Sequence, residues 1–423
     1  MDDKTAPHGR LRQLDALRAF ACLAVVAYHI ILQDPALQSG MARLTAVVGG
    51  APFDLGYHGV QLFFYLSGFL ITRILLRSRD TAESGGSKSS AWVQFEARRV
   101  FRIFPLYYGL IAVYALVWAG GGVGWFGEVW PELVTYRATS VIQAGGELGT
   151  LGHFWTLGIE EYFYLAWPAF MLFAPRRSLV PIMVLAALVS GLTRVGAHLI
   201  GAGTWIADGG QLWQLSDGKF VVNFMARGFV PQSFFLIVGS LLGAVFDSRV
   251  ATLRRWQRGL QLVLAPTLLA SVWVWALFGF AIYDRWNPAF VGSLSTEHAL
   301  AMQKLGVVVF EVVAYSVLVV LAATGVSGGV TARVFDLRGL HWVGERSYGI
   351  YVFHVPILHA LYGFVPLNAA GTIGRAAFFI AVTFVVAEIS WRIFERPLNT
   401  LKERWFGYAP AGRDRVGDAA RTA

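Results

Sequence analysis

The sequence predicts an all-α, polytopic membrane protein with about ten transmembrane helices and both termini in the cytoplasm. Three observations lead there. Of 423 residues, 56% are hydrophobic and only 14% are charged, whereas soluble domains carry about 25% charge and about 45–50% apolar residues. Apolar windows of the roughly 20 residues that a bilayer crossing needs recur along the chain. Lys and Arg gather in alternate connections, the pattern that fixes orientation. An ordinary cytosolic enzyme and a disordered regulator are excluded at once.

The first window, residues 14–32, follows a basic leader containing Lys4, Arg10 and Arg12. It looks like a secretion signal, but its apolar stretch is too long and no small-x-small cleavage site follows, so it is read as a retained span. The second, 59–76, is followed by Arg77, Arg79, Lys88, Arg98, Arg99 and Arg102, with a Gly/Ser-rich connection at 84–90 expected to be flexible. The third and fourth, 103–119 and 162–174, enclose an outward stretch, and Arg176 and Arg177 follow the fourth. Windows 179–200 and 232–246 come next, the latter followed by Arg249, Arg254, Arg255 and Arg258. Windows 260–282 and 305–324 precede Arg333, Arg338 and Arg346, and windows 348–365 and 373–393 complete the set.

An even number of spans puts both ends on one side, and most of the 35 Lys and Arg residues fall on that side. Positive residues stay inside. The net charge of +9 is therefore topology and not a nucleic-acid footprint, and the expected home is the inner (cytoplasmic) membrane. Residues 1–406 read as one integral-membrane domain and 407–423 as a disordered cytoplasmic tail. Cys22, the one cysteine, excludes an internal disulfide framework and a Cys-based zinc site, and no metal is expected. Gly122, Gly124 and Gly127 match G-x-G-x-x-G, but they follow a span and no strand, so the match carries no nucleotide-binding claim.

Ionisable groups inside a span cost a few kcal/mol each and call for a reason. Arg18 and His29 in the first span are eleven residues apart. That is about three turns plus roughly 20°, so they share a helix face, separated by about 16 Å along the axis. Arg18 then sits near the cytoplasmic mouth and His29 deep in the membrane, aimed the same way. The spacing suits acyl-coenzyme A, with phosphates at one end and a thioester at the end of its pantetheine arm. Arginine grips phosphate with its planar fork, and a histidine titrating near neutrality takes a proton from a hydroxyl. The plainer alternative has Arg18 held at the interface beside Asp15 and His29 bonded to a neighbouring helix.

An Arg, ten residues and then a His on the first membrane helix resembles the hallmark of the acyltransferase-3 family of membrane O-acyltransferases. The resemblance continues through GVQLFFYLSGFLIT from Gly59, RRVFRIFPLYY from Arg98, FWTLGIEEYFYLAWP from Phe154, SYGIYVFHVPIL from Ser347 and FERP from Phe394. It implies a cytoplasmic acyl-CoA donor, often acetyl-CoA, a carbohydrate or glycosylated acceptor, and essential roles for Arg18 and His29. Departures from the family pattern stand at Gln61, Gly158 and Tyr162, and they bear on the acceptor rather than the reaction class. Some relatives add an extracellular SGNH-hydrolase-like domain; the membrane unit alone is expected here.

Other residues take roles beside these two. Arg73, Arg98, Arg99 and Arg102 form an expected phosphate cradle, or a positive-inside anchor. Arg98 and Arg102, four apart, face one way if helical. Glu160 and Glu161, expected at the outward start of the fourth span near His153, would orient His29 or hold an acceptor hydroxyl, or form a solvated pair. Trp155, Tyr164 and His354 are candidate acceptor contacts, with a structural hydrogen bond an equal reading for His354. Ser67 and Gly68 suit close helix packing. Cys22 reads as a buried inert thiol. Trp125, Trp130, Trp205, Trp213, Asp208 and Asp217 in outward loops suit sugar binding or an interfacial belt. Two other functions stay open: a transporter or flippase of a lipid-linked sugar, which would show internal repeats and broken helices, and a non-catalytic partner in polysaccharide assembly.

Overall fold

A computed structural model describes residues 12–47, 55–207, 228–282, 296–326, 328–362 and 371–406, with side chains of 44–47, 197–207, 271–282 and 296–304 and of Ala42 outside the description. The fold is all-α and polytopic, as predicted. The long helices are α1 (Arg12–Gln33), α3 (Leu55–Glu83), α4 (Lys88–Ala119), α7 (Trp155–Phe173) and α8 (Arg176–Ala207), then α9 (Phe234–Arg255), α10 (Gln257–Ile282), α11 (Thr296–Thr324), α13 (Arg338–Tyr362) and α14 (Gly371–Ser390). Shorter helices are α2 (Pro35–Val47), α5 (Phe126–Val134), α6 (Ala138–Gln143), α12 (Gly329–Phe335) and α15 (Arg396–Phe406). Each of the ten apolar windows falls on one long helix. Seven helices among the described residues are long and apolar enough to cross a membrane; α7, α10 and α13 are the long helices outside that set. The tail at 407–423 and residues 363–365 of the ninth window lie outside the described residues, as do Asp208, Trp213 and Asp217 and the side chain of Trp205.

Residues 84–90 differ from the flexible connection expected of their composition. Ser87 caps α4, its Oγ accepting from Ser90 N at 3.3 Å, so the helix already begins at Lys88 and only a tight turn remains.

Helix α1 is clamped between α3 and α13, and glycines allow it. A Cβ at Gly344 would lie 1.9 Å from the Asp15 carbonyl oxygen, and one at Gly59 would lie 2.6 Å from that of Ala21. Backbones therefore touch on both sides of α1, the close approach that small residues give membrane helices. The same device joins α3 to α9, where a Cβ at Gly68 would meet Leu236 O at 1.9 Å and one at Gly239 would meet Tyr65 O at 2.1 Å. The expectation for Gly68 holds; Ser67 instead turns its hydroxyl to Glu160. A buried ion pair of Arg375 with Asp34 ties α14 to the end of α1. Cys22 is buried, with Ser347 O 3.6 Å from its sulfur, as an inert thiol would be.

Gly344→Ala is expected to force α1 and α13 apart and to destabilise the protein by about 1–3 kcal/mol. Thermal unfolding of the purified variant checks this, and an unshifted midpoint would contradict the clamp.

Candidate functional site

Three cavities lie in succession beside α1. The first, about 520 Å³ and polar, is lined by Arg18, Arg102, Trp391, Glu395, Arg396 and Lys402, among others. Its outer wall is α15, which docks on α4: Arg98 donates to both carboxylate oxygens of Glu403 at 3.0 and 2.7 Å and to Phe406 O at 2.8 Å. A single π turn, Trp391–Glu395, links α14 to α15 and brings Glu395 inward, where it accepts from Ser390 Oγ at 3.0 Å.

The second cavity, about 180 Å³, is lined by Arg18, Ser67, Arg99, Arg102, Glu160 and Tyr164 beside apolar residues of α3. It shares Arg18, Arg102 and Tyr348 with the first. Arg18 Nη1 donates to Asp15 at 2.7 Å, which fixes the guanidinium at the junction. Arg99 lies 4.2 Å from the centre of the Tyr164 ring, a cation–π contact. Ser67 donates to Glu160 Oε1 at 3.0 Å and accepts from the Tyr164 hydroxyl at 3.2 Å.

The third cavity, about 400 Å³, is lined by His29, Tyr28, His153, Trp155, Arg194 and Gln232, among others. Val60, Thr156 and Tyr351 line both it and the second, so the two cavities adjoin at these three side chains. Here three imidazoles meet. His29 and His354 have ring centres 4.9 Å apart, His153 and His354 4.8 Å, and His29 and His153 6.3 Å. Among the described residues no group of His, Cys, Asp or Glu is arranged to hold a metal ion.

Acceptors assign the tautomers of this cluster. Carbonyl oxygens only accept, so His354 Nδ1–H donates to Tyr351 O at 2.6 Å and its Nε2 is left as an acceptor. His29 Nδ1–H faces Val25 O at 2.9 Å and His354 Nε2 at 3.2 Å. His29 Nε2 is then the basic nitrogen. His153 Nε2 faces Val352 O at 3.4 Å, while its Nδ1 is buried without a partner. The Val352 carbonyl is available because Pro356, four residues on, has no N–H to give it.

The expected site residues separate accordingly. Arg18, Arg99, Arg102, Glu160 and Tyr164 come together in the second cavity; His29 and Trp155 line the third, with His354 packed against His29. Arg18 and His29 do follow one another along α1, but in two chambers that adjoin at Val60, Thr156 and Tyr351. Arg98 lines none of the three cavities and instead holds α15. Arg73 is engaged with Asp247 at 3.1 and 2.6 Å, lies over the Phe69 and Phe246 rings, and lines none of the three cavities. Glu160 sits with the arginines rather than at the outward end near His29, and Glu161, half-buried, lines none of the three. Trp125 packs on Tyr114 and Phe126, and Trp130 is exposed.

Sequence reasoning passed over His153, Arg194 and Lys402 as site residues. Arg194 carried a signal, being a charge in the middle of an apolar window. Lys402 carried none, since a tail lysine resembles any other until α15 folds back.

Segments scattered from Asp15 to Glu403 thus supply the walls of three adjoining cavities. The acyltransferase-domain family model matches residues 11–392. The chain belongs to the acyltransferase-3 family. Among its relatives it is 26% identical over 95% of its length to the peptidoglycan O-acetyltransferase OatA of Listeria monocytogenes, covering 57% of that protein. It is 23% identical over 97% of its length to the O-acetyltransferase OatA of Staphylococcus aureus, covering 60% of it. The chain therefore spans well under two thirds of the length of these curated relatives. No solved structure matches it.

Replacing Pro356 by Ala returns an N–H to Val352 O and competes with His153. The expected outcome is a shifted imidazole nitrogen resonance for His153 in a folded protein, and an unmoved resonance would refute that hydrogen bond.

Proposed function

We propose that this membrane protein is an O-acyltransferase that moves an acyl group, acetyl in its simplest form, from acyl-CoA to a hydroxyl of a carbohydrate acceptor. One observation carries the reading. The three cavities adjoin along α1: Arg18, Arg102, Arg396 and Lys402, set among four carboxylates, line the first and offer donors to a long anionic thioester, and histidines line the last and offer a base to a hydroxyl. The family membership and the kinship with O-acetyltransferases support the same chemistry.

On this reading the donor enters the first cavity, where Lys402, Arg396, Arg18 and Arg102 meet its phosphates, since paired cations lower the cost of bringing a multiply charged group out of water. The pantetheine arm runs through the second cavity, and its thioester passes between Val60, Thr156 and Tyr351, where the two cavities adjoin, to reach the third. The acceptor occupies the third. His29 Nε2 takes the hydroxyl proton, the oxygen attacks the thioester carbonyl, and the tetrahedral adduct collapses with loss of the thiolate, which is protonated to the thiol. His354 acts as a positioning residue: its Nε2 accepts from His29 Nδ1–H and stabilises the imidazolium that forms, the task a carboxylate performs in the Ser-His-Asp arrangement. Glu160, bonded to Ser67 among the arginines, balances cationic charge along the donor path.

His29→Ala is expected to reduce thiol release from acetyl-CoA by about 10²–10⁴-fold, the usual contribution of a general base, with the protein still folded. Normal turnover by that variant would defeat the mechanism. Arg18→Ala is expected to act on the donor side, abolishing saturation by acetyl-CoA in the same assay. Val60→Trp plugs the junction between donor and acceptor chambers; a loss of roughly a hundredfold is expected from misplacing the reacting atoms, with coenzyme A binding, read by calorimetry, retained.

A further inference from the structure

The acyl-transfer reading leaves Arg194 without a task. It lies eighteen residues along α8 from Arg176, about 27 Å up a helix that crosses a core of about 30 Å. That depth, counted from the Arg176 end, is close to the headgroup level of the opposite leaflet. Arg194 is only 3% exposed. Its Nη1 donates to Pro231 O at 3.3 Å, and its guanidinium lies 5.2 and 5.3 Å from the Tyr57 and Phe235 ring centres. Its Nε and Nη2 are buried with no hydrogen-bond partner. Glu311 is the nearby carboxylate; its Oε1 is bonded to His58 and to the Tyr315 hydroxyl, and its Oε2 is buried without a hydrogen bond to Arg194 or any other group. A desolvated guanidinium with two donor atoms unfilled is costly, and in a membrane it marks a place where something charged arrives.

Two cavities meet at this side chain. One is the histidine chamber. The other is an apolar groove of about 400 Å³ between α8 and α11, lined by Leu188, Leu192, Leu305, Val309 and Val313 with Arg194 at its end. Leu188, Leu192 and Val309 are 58%, 71% and 53% exposed, so the groove opens on the flank that faces lipid. A soluble neutral glycan would leave the guanidinium unpaired, and a free anion would leave the groove without purpose. An amphiphile with its anionic junction between tail and sugar fills both.

We propose that the acceptor reaches His29 sideways from the bilayer as a lipid-linked saccharide. Its apolar chain lies in the α8–α11 groove, its phosphate is forked by Arg194 Nε and Nη2, and its sugar projects into the histidine chamber. The fate of the sugar rests on the acyl-transfer reading; the lipid-phosphate site does not.

The test is binding to the purified full chain held in amphipol, without donor, using dodecyl phosphate, dodecanol and inorganic phosphate as probes. The expected result is that dodecyl phosphate binds roughly ten- to a hundredfold more tightly than dodecanol, the worth of charge-assisted hydrogen bonds to a buried cation, and that inorganic phosphate binds far more weakly. Arg194→Gln is expected to bring dodecyl phosphate down to the level of dodecanol, and Leu188→Trp, at an exposed groove position, to weaken both. Equal binding of the two amphiphiles by the unmodified chain overturns the proposal, and this comparison needs no variant. Inorganic phosphate binding as tightly as dodecyl phosphate overturns it too, by revealing a free-anion site, as does a preference that survives in Arg194→Gln. Since no donor is present, failure here leaves acyl transfer untouched, and failure of thiol release leaves this site standing.

Discussion

Backbone contact on both sides of α1 is the constraint from which the rest follows. Gly344 under Asp15 and Gly59 against Ala21 let α13 and α3 approach within reach of short side chains. Without that approach, His354 on α13 would stand too far from His29 to accept from its Nδ1, and Val60 on α3 would not line the same cavities as Tyr351. Lipid gives no hydrophobic drive to helix association, so packing and interhelical polar contacts must supply it. Here the polar contacts are the same ones that build the chambers.

The chambers differ in how they treat charge. In the cavity beside α15, guanidinium and ammonium groups alternate with an equal number of carboxylates: Arg18 bonds Asp15, while Arg98, outside the cavity lining, forks Glu403 and Phe406 O. At the other end the polar groups are imidazoles, wired to backbone carbonyls that set which nitrogen carries the proton. A proline in α13 contributes by omission, since the carbonyl it leaves unbonded becomes the ligand of His153. Burial makes each of these hydrogen bonds consequential, because a group left unpaired in lipid has no water to turn to.

Much of the fold was legible because the bilayer imposes a length and a composition on every span, and each of the ten windows falls on a long helix. The connection at 84–90 misled because Gly and Ser signal flexibility in isolation, while one of those serines was needed as a helix cap. The arginine row misled in a different way. Charge and spacing identify Arg98, Arg99 and Arg102 as a group, but only the position of α15 decides that Arg98 is consumed by Glu403 while Arg99 and Arg102 turn to the cavities. Arg73 belongs to the same lesson, since Asp247, 174 residues away, claims it.

The sequence by itself determined an all-α membrane protein, the relation of Arg18 to His29 along one helix and the family, because periodicity, hydropathy and local spacing are properties of neighbouring residues. The tertiary structure alone decided that His153 and His354 join His29, that the two chambers adjoin at Val60, Thr156 and Tyr351, and that Arg194 stands where chamber and groove meet. Those facts depend on which helices touch, and contact between residues hundreds of positions apart is settled by packing that no local pattern records.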